Sequence, residues 1–181
     1  MQILVVDPYF TYSHKVWFDG LCASSDHKFS KLTLPPFHWK WRMHGGTLQL
    51  AQQFNESYGE FEMIMATDML DLSLFIAQCK GFLKPSAPIW LYFHENQLTY
   101  PFSELDRDKA LGYDNHYAFI NLTSALLADR LIFNSKFHRD SFLTAIPGFL
   151  DQFPRPKLTI PISKLFDKSH VIYPGFDSSV I

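Results

Sequence analysis

The chain has 181 residues with 16 basic and 18 acidic side chains, a net charge of -2 with histidine neutral. That length suits one domain able to bury a full apolar core. The near-neutral charge excludes a domain-wide basic field of the kind that grips nucleic acid without regard to sequence, leaving only a local patch possible.

Gln2–Val6 is a short β-branched run ended by Asp7-Pro8, which predicts a buried first strand. Aromatic residues follow at Tyr9, Phe10 and Tyr12, and then Ser13-His14-Lys15. Ser13 is the expected N-cap, because Val16, Trp17, Phe18, Leu21 and Cys22 recur at helical spacing behind it. The free N–H groups and dipole of such a helix start suit an anion or a sugar hydroxyl. No GxGxxG occurs there, which argues against a nicotinamide cofactor. Phe29–Leu34 predicts the second strand, closed by Pro35-Pro36. The segment Phe37–Arg42 reads as a loop in which Trp39 and Trp41, with Arg42, either stack on a flat ligand or plug the sheet edge. A helix is expected from about His44 to Tyr58.

Phe61–Ala66 predicts a third strand, ended by the polar pair Thr67-Asp68. Asp71 caps the next helix, on which Leu72, Phe75, Ile76 and Cys79 share a face. Cys22 and Cys79 both sit in apolar helical settings with no CxxC or Cys/His ligand spacing, so both read as reduced core residues. Pro85 and Pro88 turn the chain into a fourth strand, Ile89–Phe93. That run gives way to His94-Glu95-Asn96-Gln97, four side chains in succession that donate, accept or titrate, and then to Tyr100-Pro101.

Glu104–Lys109 reads as a solvated charged loop and Leu111–Asp129 as a helix. Arg130–Phe133 is the fifth strand, followed by Asn134-Ser135, with Ser135 as N-cap of a helix to about Leu150. Pro154 and Pro156 break the chain, and a short segment leads to a sixth strand, His170–Tyr173, and the turn Pro174–Asp177. No run approaches the ~18 apolar residues of a membrane span, and the N-terminus opens with a strand and no secretory signal. A soluble, cytoplasmic protein with no membrane partner is the expectation.

Strands alternating with helices imply an α/β fold, a Rossmann-like doubly wound parallel sheet. Ligands of such sheets bind beyond the carboxyl ends of the strands. The polar sets at 10–15, 37–42, 67–68, 94–97, 134–135 and 174–177 all fall at those ends, so the topology gathers them on one edge.

The order of these pieces resembles the N-terminal half of a GT-B glycosyltransferase of the retaining kind. The pieces are Ser13-His14-Lys15, Phe93-His94-Glu95, Ala128–Ser135 and Val171–Asp177. More closely, Thr33-Leu34-Pro35 with Trp39 and Trp41-Arg42, Tyr92–Leu98 with Tyr100-Pro101, and Phe133-Asn134-Ser135 resemble the tRNA-queuosine mannosyltransferase family. These span nearly the whole chain, and Tyr92–Pro101 is the most specific stretch. Two departures stand out. The glycine-rich GGxxxH first loop common in such enzymes is replaced here by Thr11-Tyr12-Ser13-His14, and no E-x7-E pair of a nucleotide-sugar domain is present.

The resemblance implies mannosyl transfer from GDP-mannose, as co-substrate, to a cyclopentene hydroxyl of queuosine in a tRNA anticodon. Stereochemistry would be retained, with no required metal or cofactor. On that basis residues 1–177 form an acceptor-side domain, 178–181 begin an interdomain linker, and the donor-binding domain lies outside this chain, leaving these 181 residues inactive alone. The candidate catalytic residues are His94 and Glu95. Candidate substrate-binding residues are Ser13, His14, Lys15, Trp39, Trp41, Arg42, Asn96, Gln97, Asn134 and Ser135. Lys15, Lys40, Arg42, Lys136, Arg139 and Lys157 are the cations available for a basic face. Two alternatives remain: the same kind of transferase with a glycan or small-metabolite acceptor, and a binding module without catalysis.

Overall fold

A computed structural model describes residues 1–57, 59–79, 81, 83–84, 86–101 and 115–175. Among these residues six parallel strands form one sheet: β1 (Gln2–Asp7), β2 (Lys28–Thr33), β3 (Met63–Thr67), β4 (Ile89–Phe93), β5 (Arg130–Phe133) and β6 (Ser169–Val171). Their order is β2-β1-β3-β4-β5-β6. The connecting helices are α1 (Tyr12–Ala23), α2 (Trp39–Trp41), α3 (Thr47–Ser57), α4 (Leu72–Cys79), α5 (His116–Leu127), α6 (Lys136–Leu150) and α7 (Ile162–Asp167), with a π-helical turn at Arg42–Gly46 joining α2 to α3. Among the described residues no helix is long and apolar enough to cross a membrane.

Strands buried on both faces need side chains that tolerate no water on either side. β3, with sequence MIMAT, is buried at all five positions, and β1 at every position after Gln2. The two sheet faces carry separate apolar clusters. Leu4, Val6, Ile64, Phe93 and Phe133 pack under Leu50, Phe75, Leu122 and Phe142 of α3, α4, α5 and α6. Ile3, Val5, Met63, Met65, Tyr92 and Ile132 pack under Phe18 and Trp17 of α1. Helices on both faces of a parallel sheet make the doubly wound α/β architecture expected from the sequence, the shape of the N-terminal half of a GT-B fold.

The register sets Asp7 level with Thr33, Thr67 with Tyr92, and Phe93 with Phe133, so the strand ends lie on one edge. From β1 the chain leaves toward β2, and from β3 it leaves toward β4 on the other side. The carboxyl edge beside β1 and β3 is therefore a topological switch point, where two loops diverge and open a crevice.

Local details depart from the sequence reading. Thr11, not Ser13, caps α1: it is extended, and its Oγ1 accepts the His14 N–H at 3.3 Å. Ser13 instead shares a hydroxyl hydrogen bond of 2.8 Å with Thr11. Residues 37–42 are not wholly loop, since helical structure begins at Trp39, after His38 takes a left-handed conformation (φ 53°). α7 lies in a stretch expected only as a short connecting segment, and β6 ends at Val171. Cys79 is buried and Cys22 only half-buried, and both are free thiols. The readings at Tyr58, Pro85, Glu104–Lys109, residues 111–114, Phe176-Asp177 and 178–181 fall outside the described residues.

Candidate functional site

Three strand ends and one helix bring the central group together. Asp7 ends β1, Thr67 and Asp68 end β3, and His94 follows β4. α1 returns His14 over β1, and Asp7 Oδ2 meets His14 Nδ1 at 2.7 Å, with Asp7 fully buried. The ring of His14 lies face-on to that of His94, centroids 3.7 Å apart and planes within 12°. Trp17 of α1 meets His94 edge-on at 4.9 Å, and the Tyr92 ring leans on it at 4.7 Å. The backbone of His94 is held as firmly. Its N–H donates to Asp68 Oδ1 at 2.8 Å, and its carbonyl accepts from Asn134 Nδ2 at 2.9 Å. By contrast, among the described residues His94 Nε2 is buried with no hydrogen-bond partner, as are Asp68 Oδ2, Thr67 Oγ1 and His138 Nε2. Buried polar atoms are nearly always satisfied, so this concentration at one strand edge marks a place built for something further.

The charges divide sharply. Burial, reinforced by His14 and His138, holds His94 down to about 2, so its ring is neutral. Burial opposes charge on His14 as well, yet the hydrogen bond and negative charge of Asp7, helped by Asp68 and Glu95, leave His14 above its ordinary value. Asp68 is pushed up to about 8 by burial and then by the charge of Glu95, against the opposing pull of the His94 N–H. Glu95 is raised by burial, against the pull of His14 and of its hydrogen bond from Gln97. Asp7 and His14 thus form a carboxylate–imidazole pair beside two groups, His94 and Asp68, that burial keeps neutral near pH 7.

The loop 94–99 is pinned from within and from behind. Asn96 Oδ1 accepts the N–H groups of Leu98 and Thr99 at 3.1 and 3.0 Å, a local turn that spends its side chain on the backbone. Gln97 Nε2 donates to Glu95 Oε1 at 3.2 Å. Asn121, fully buried on α5, donates to the Asp68 carbonyl at 2.7 Å and accepts the Gln97 N–H at 2.6 Å. On the β5 side, Ser135 caps α6 by accepting the His138 N–H at 3.1 Å, and Asn134 Oδ1 meets His138 Nδ1 at 2.9 Å. His138, wedged against Phe93 and Phe133, is held by burial down to about 4.

Of the twelve residues singled out from sequence, His14, His94, Glu95, Asn96, Gln97, Asn134 and Ser135 belong to this connected group. Lys15 pairs instead with Asp19 along the exposed side of α1. Trp39 packs on Tyr117 at 5.0 Å, in a cluster with Met43, Met69 and Ile120. Trp41 is exposed, its indole lying across Gly45, where a Cβ would stand 2.2 Å from Trp41 Cζ2. Arg42 Nε donates to the Pro35 carbonyl at 3.1 Å. Sequence reasoning gave no role to Asp7, Asn121 or His138. The signal for Asp7 was available, as an acid closing an apolar strand seven residues before a His; Asn121 and His138 sit in amphipathic helices with nothing to mark them.

Asp7, His14 and His94 each place a ligand-type atom within 4.8 Å of the others. A shared ion needs imidazole lone pairs that converge. Two nearly parallel stacked rings hold theirs side by side, and His14 Nδ1 is already engaged by Asp7, so the arrangement fits a metal poorly.

A family model described as tRNA-queuosine alpha-mannosyltransferase N-terminal matches residues 2–176. The tRNA-queuosine alpha-mannosyltransferase of Drosophila melanogaster is 31% identical over 176 residues, which is 95% of this chain and 44% of that relative. The chain therefore spans less than half the length of the curated relative it matches.

Proposed function

The chain belongs to the tRNA-queuosine alpha-mannosyltransferase family, matching its N-terminal domain, and from that membership we propose that it is the acceptor-side half of a retaining glycosyltransferase. The donor is GDP-mannose, the acceptor a hydroxyl of queuosine in tRNA, and the transfer requires no metal. A second, nucleotide-sugar-binding half completes the cleft, so these 181 residues bind acceptor without turning over donor. The observation that carries this reading is the neutral His94, presented at the switch-point edge with Nε2 buried and unpartnered.

Transfer with retention builds positive charge on the sugar ring as the phosphate departs. A neutral imidazole meets a sugar hydroxyl through Nε2 without adding charge to that ring, and a preorganised hydrogen bond of this kind is worth roughly 10²–10³ in rate. Glu95 stands next to it and is raised toward the neutral form by burial. The helix starts after β1 and β5, with Thr11 and Ser135 as caps, face the same edge and favour the departing anion. On the acceptor side, exposed Trp41 with Phe37 and Tyr100 offers ring faces to bases.

The test uses a chain of the relatives' full length, labelled GDP-mannose, and tRNA with and without queuosine. Label that enters only queuosine-containing tRNA is expected. Equal labelling of both tRNAs, or transfer only from another nucleotide sugar, overturns the assignment. One observation favours a second reading. Of six cations available for a basic face, Lys15 pairs with Asp19, and both Lys136 and Arg139 pair with Asp140. A smaller, uncharged acceptor fits that weakened face, and it predicts acceptor binding almost independent of salt, where tRNA binding falls steeply.

A further inference from the structure

We propose that Asp7 and His14 are a positioning pair for His94: the carboxylate holds the ring of His14, and that ring, stacked face-on, fixes the ring of His94 in one orientation. This deepens the reading of His94 given above and rests on it. The backbone of His94 is already tied at both ends, by Asp68 Oδ1 at 2.8 Å and by Asn134 Nδ2 at 2.9 Å. What remains free is the side-chain torsion. Three rings remove that freedom: Trp17 edge-on, Tyr92 tilted, and His14 stacked flat on it. Of the three, His14 is the closest and the only one itself held by a charged group. Asp7 in turn is fixed by the Tyr9 N–H, which donates to its Oδ1 at 2.8 Å.

The construction is expensive as packing alone. A buried acid–imidazole pair rarely gains more stability than apolar side chains filling the same space. What it supplies is direction. Nδ1 of His14 is bound to a rigid strand end, so the ring is tethered while its face lies flat against that of His94. A reacting group held to within a fraction of an ångström is where such rigidity shows in the rate, since small misplacements cost large factors.

The experiment compares wild type, His14→Ala, and His14→Phe made in an Asp7→Asn background so that no buried carboxylate is stranded. Turnover is measured with queuosine-tRNA and GDP-mannose in a chain of the relatives' full length, and the ¹⁵N shifts of the His94 ring are recorded without substrate. His14→Ala is expected to lower kcat by about tenfold or more with both KM values nearly unchanged, and to move the His94 ring shifts from those of one fixed side-chain torsion to averaged ones. The double variant, which restores a flat ring but not the tether at residue 7, is expected to recover part of the rate and to narrow the averaging. A double variant as slow as His14→Ala overturns the proposal, as do His94 shifts identical in all three proteins. If His14→Ala does not fold, the double variant alone decides by the same two readouts. Should wild type transfer no mannose, the function proposed above falls, and the ring shifts still settle the positioning.

Discussion

Asn121→Ala is the sharpest test of how the fold holds the 94–97 loop. The Asn121 side chain is fully buried, and its two amide atoms satisfy two backbone groups from different elements, the Asp68 carbonyl at 2.7 Å and the Gln97 N–H at 2.6 Å. Truncation strands both. A stranded buried group costs roughly 1–3 kcal/mol, and the Gln97 N–H, on a half-buried loop, recaptures part of that from water, so a sum of about 2–4 kcal/mol is expected. In a domain of this size each kcal/mol moves the melting temperature by about 2–4 °C, which places the loss at roughly 5–15 °C. Thermal melts followed by circular dichroism give that number, and amide exchange at Gln97 should accelerate in parallel. Asn121→Leu, close in volume, should lose nearly as much, because the loss comes from the hydrogen bonds and not from a cavity. A drop below about 2 °C in Asn121→Ala, or full recovery in Asn121→Leu, would refute the reasoning.

Four further outcomes follow from the same geometry. In a full-length enzyme, His94→Ala should lower kcat per folded molecule by roughly 10²–10³, and also lower the melting temperature, because the ring leaves its stack with His14, Trp17 and Tyr92; turnover per folded molecule equal to wild type would reduce His94 to packing. Trp41→Ala should weaken tRNA binding about tenfold and leave both GDP-mannose affinity and stability alone, since the ring is exposed. Gly45→Ala should reproduce part of that loss with Trp41 intact, because the added methyl occupies the place of the indole; unchanged tRNA titrations for both variants would show that the loop takes no part in recognition. Asp68 tests the electrostatics. Its folded value, about 8, lies above its unfolded one, so its contribution to stability is complete below the unfolded value and is lost as pH rises through about 8. Asp68→Asn keeps the Oδ1 acceptor for the His94 N–H and cannot ionise. Its stability relative to wild type should therefore improve from pH 5 to about pH 8 and level off above that in urea titrations, and parallel curves for the two proteins would contradict the assignment.

The strands were legible because each is a short apolar run bounded by Pro, Asp or a polar cluster, and burial on both faces of a parallel sheet demands that composition. The shared edge followed from alternation alone. Side-chain commitments were not legible, because they depend on what a residue meets across the sheet. Asn96 looks from sequence like a ligand group, yet its oxygen is spent on its own loop. Trp39 and Trp41, two residues apart, divide the two roles open to them: one packs against Tyr117 and the other stands in solvent. Nothing local says that His14 and His94, eighty positions apart, share one stack. Asp7 was read as the end of a strand, and its pairing appears only once α1 folds back over β1.

The distribution of charge at this edge argues about mechanism beyond any one residue. Hydrolysis by paired carboxylates needs one acid ionised as nucleophile or base and the other protonated as acid. Here the Asp7 carboxyl is engaged by His14, while Asp68 is neutral near pH 7, its Oδ1 is occupied by the His94 N–H, and burial encloses its Oδ2. Glu95, raised by burial and tied to Gln97, has no ionised partner of its own among these acids. On the proposed function, the group left to face a sugar is the neutral imidazole of His94. A site of that kind does not attack an anomeric carbon. It suits a transfer in which the nucleophile comes from the acceptor and the departing phosphate takes up the proton, so that the protein's task is to hold the sugar while charge passes over it. The discriminating measurement is hydrolysis in the absence of acceptor. A full-length enzyme should release free mannose from GDP-mannose far more slowly than it glycosylates tRNA, and hydrolysis at a comparable rate, abolished by Glu95→Gln, would show that a carboxylate acts here after all.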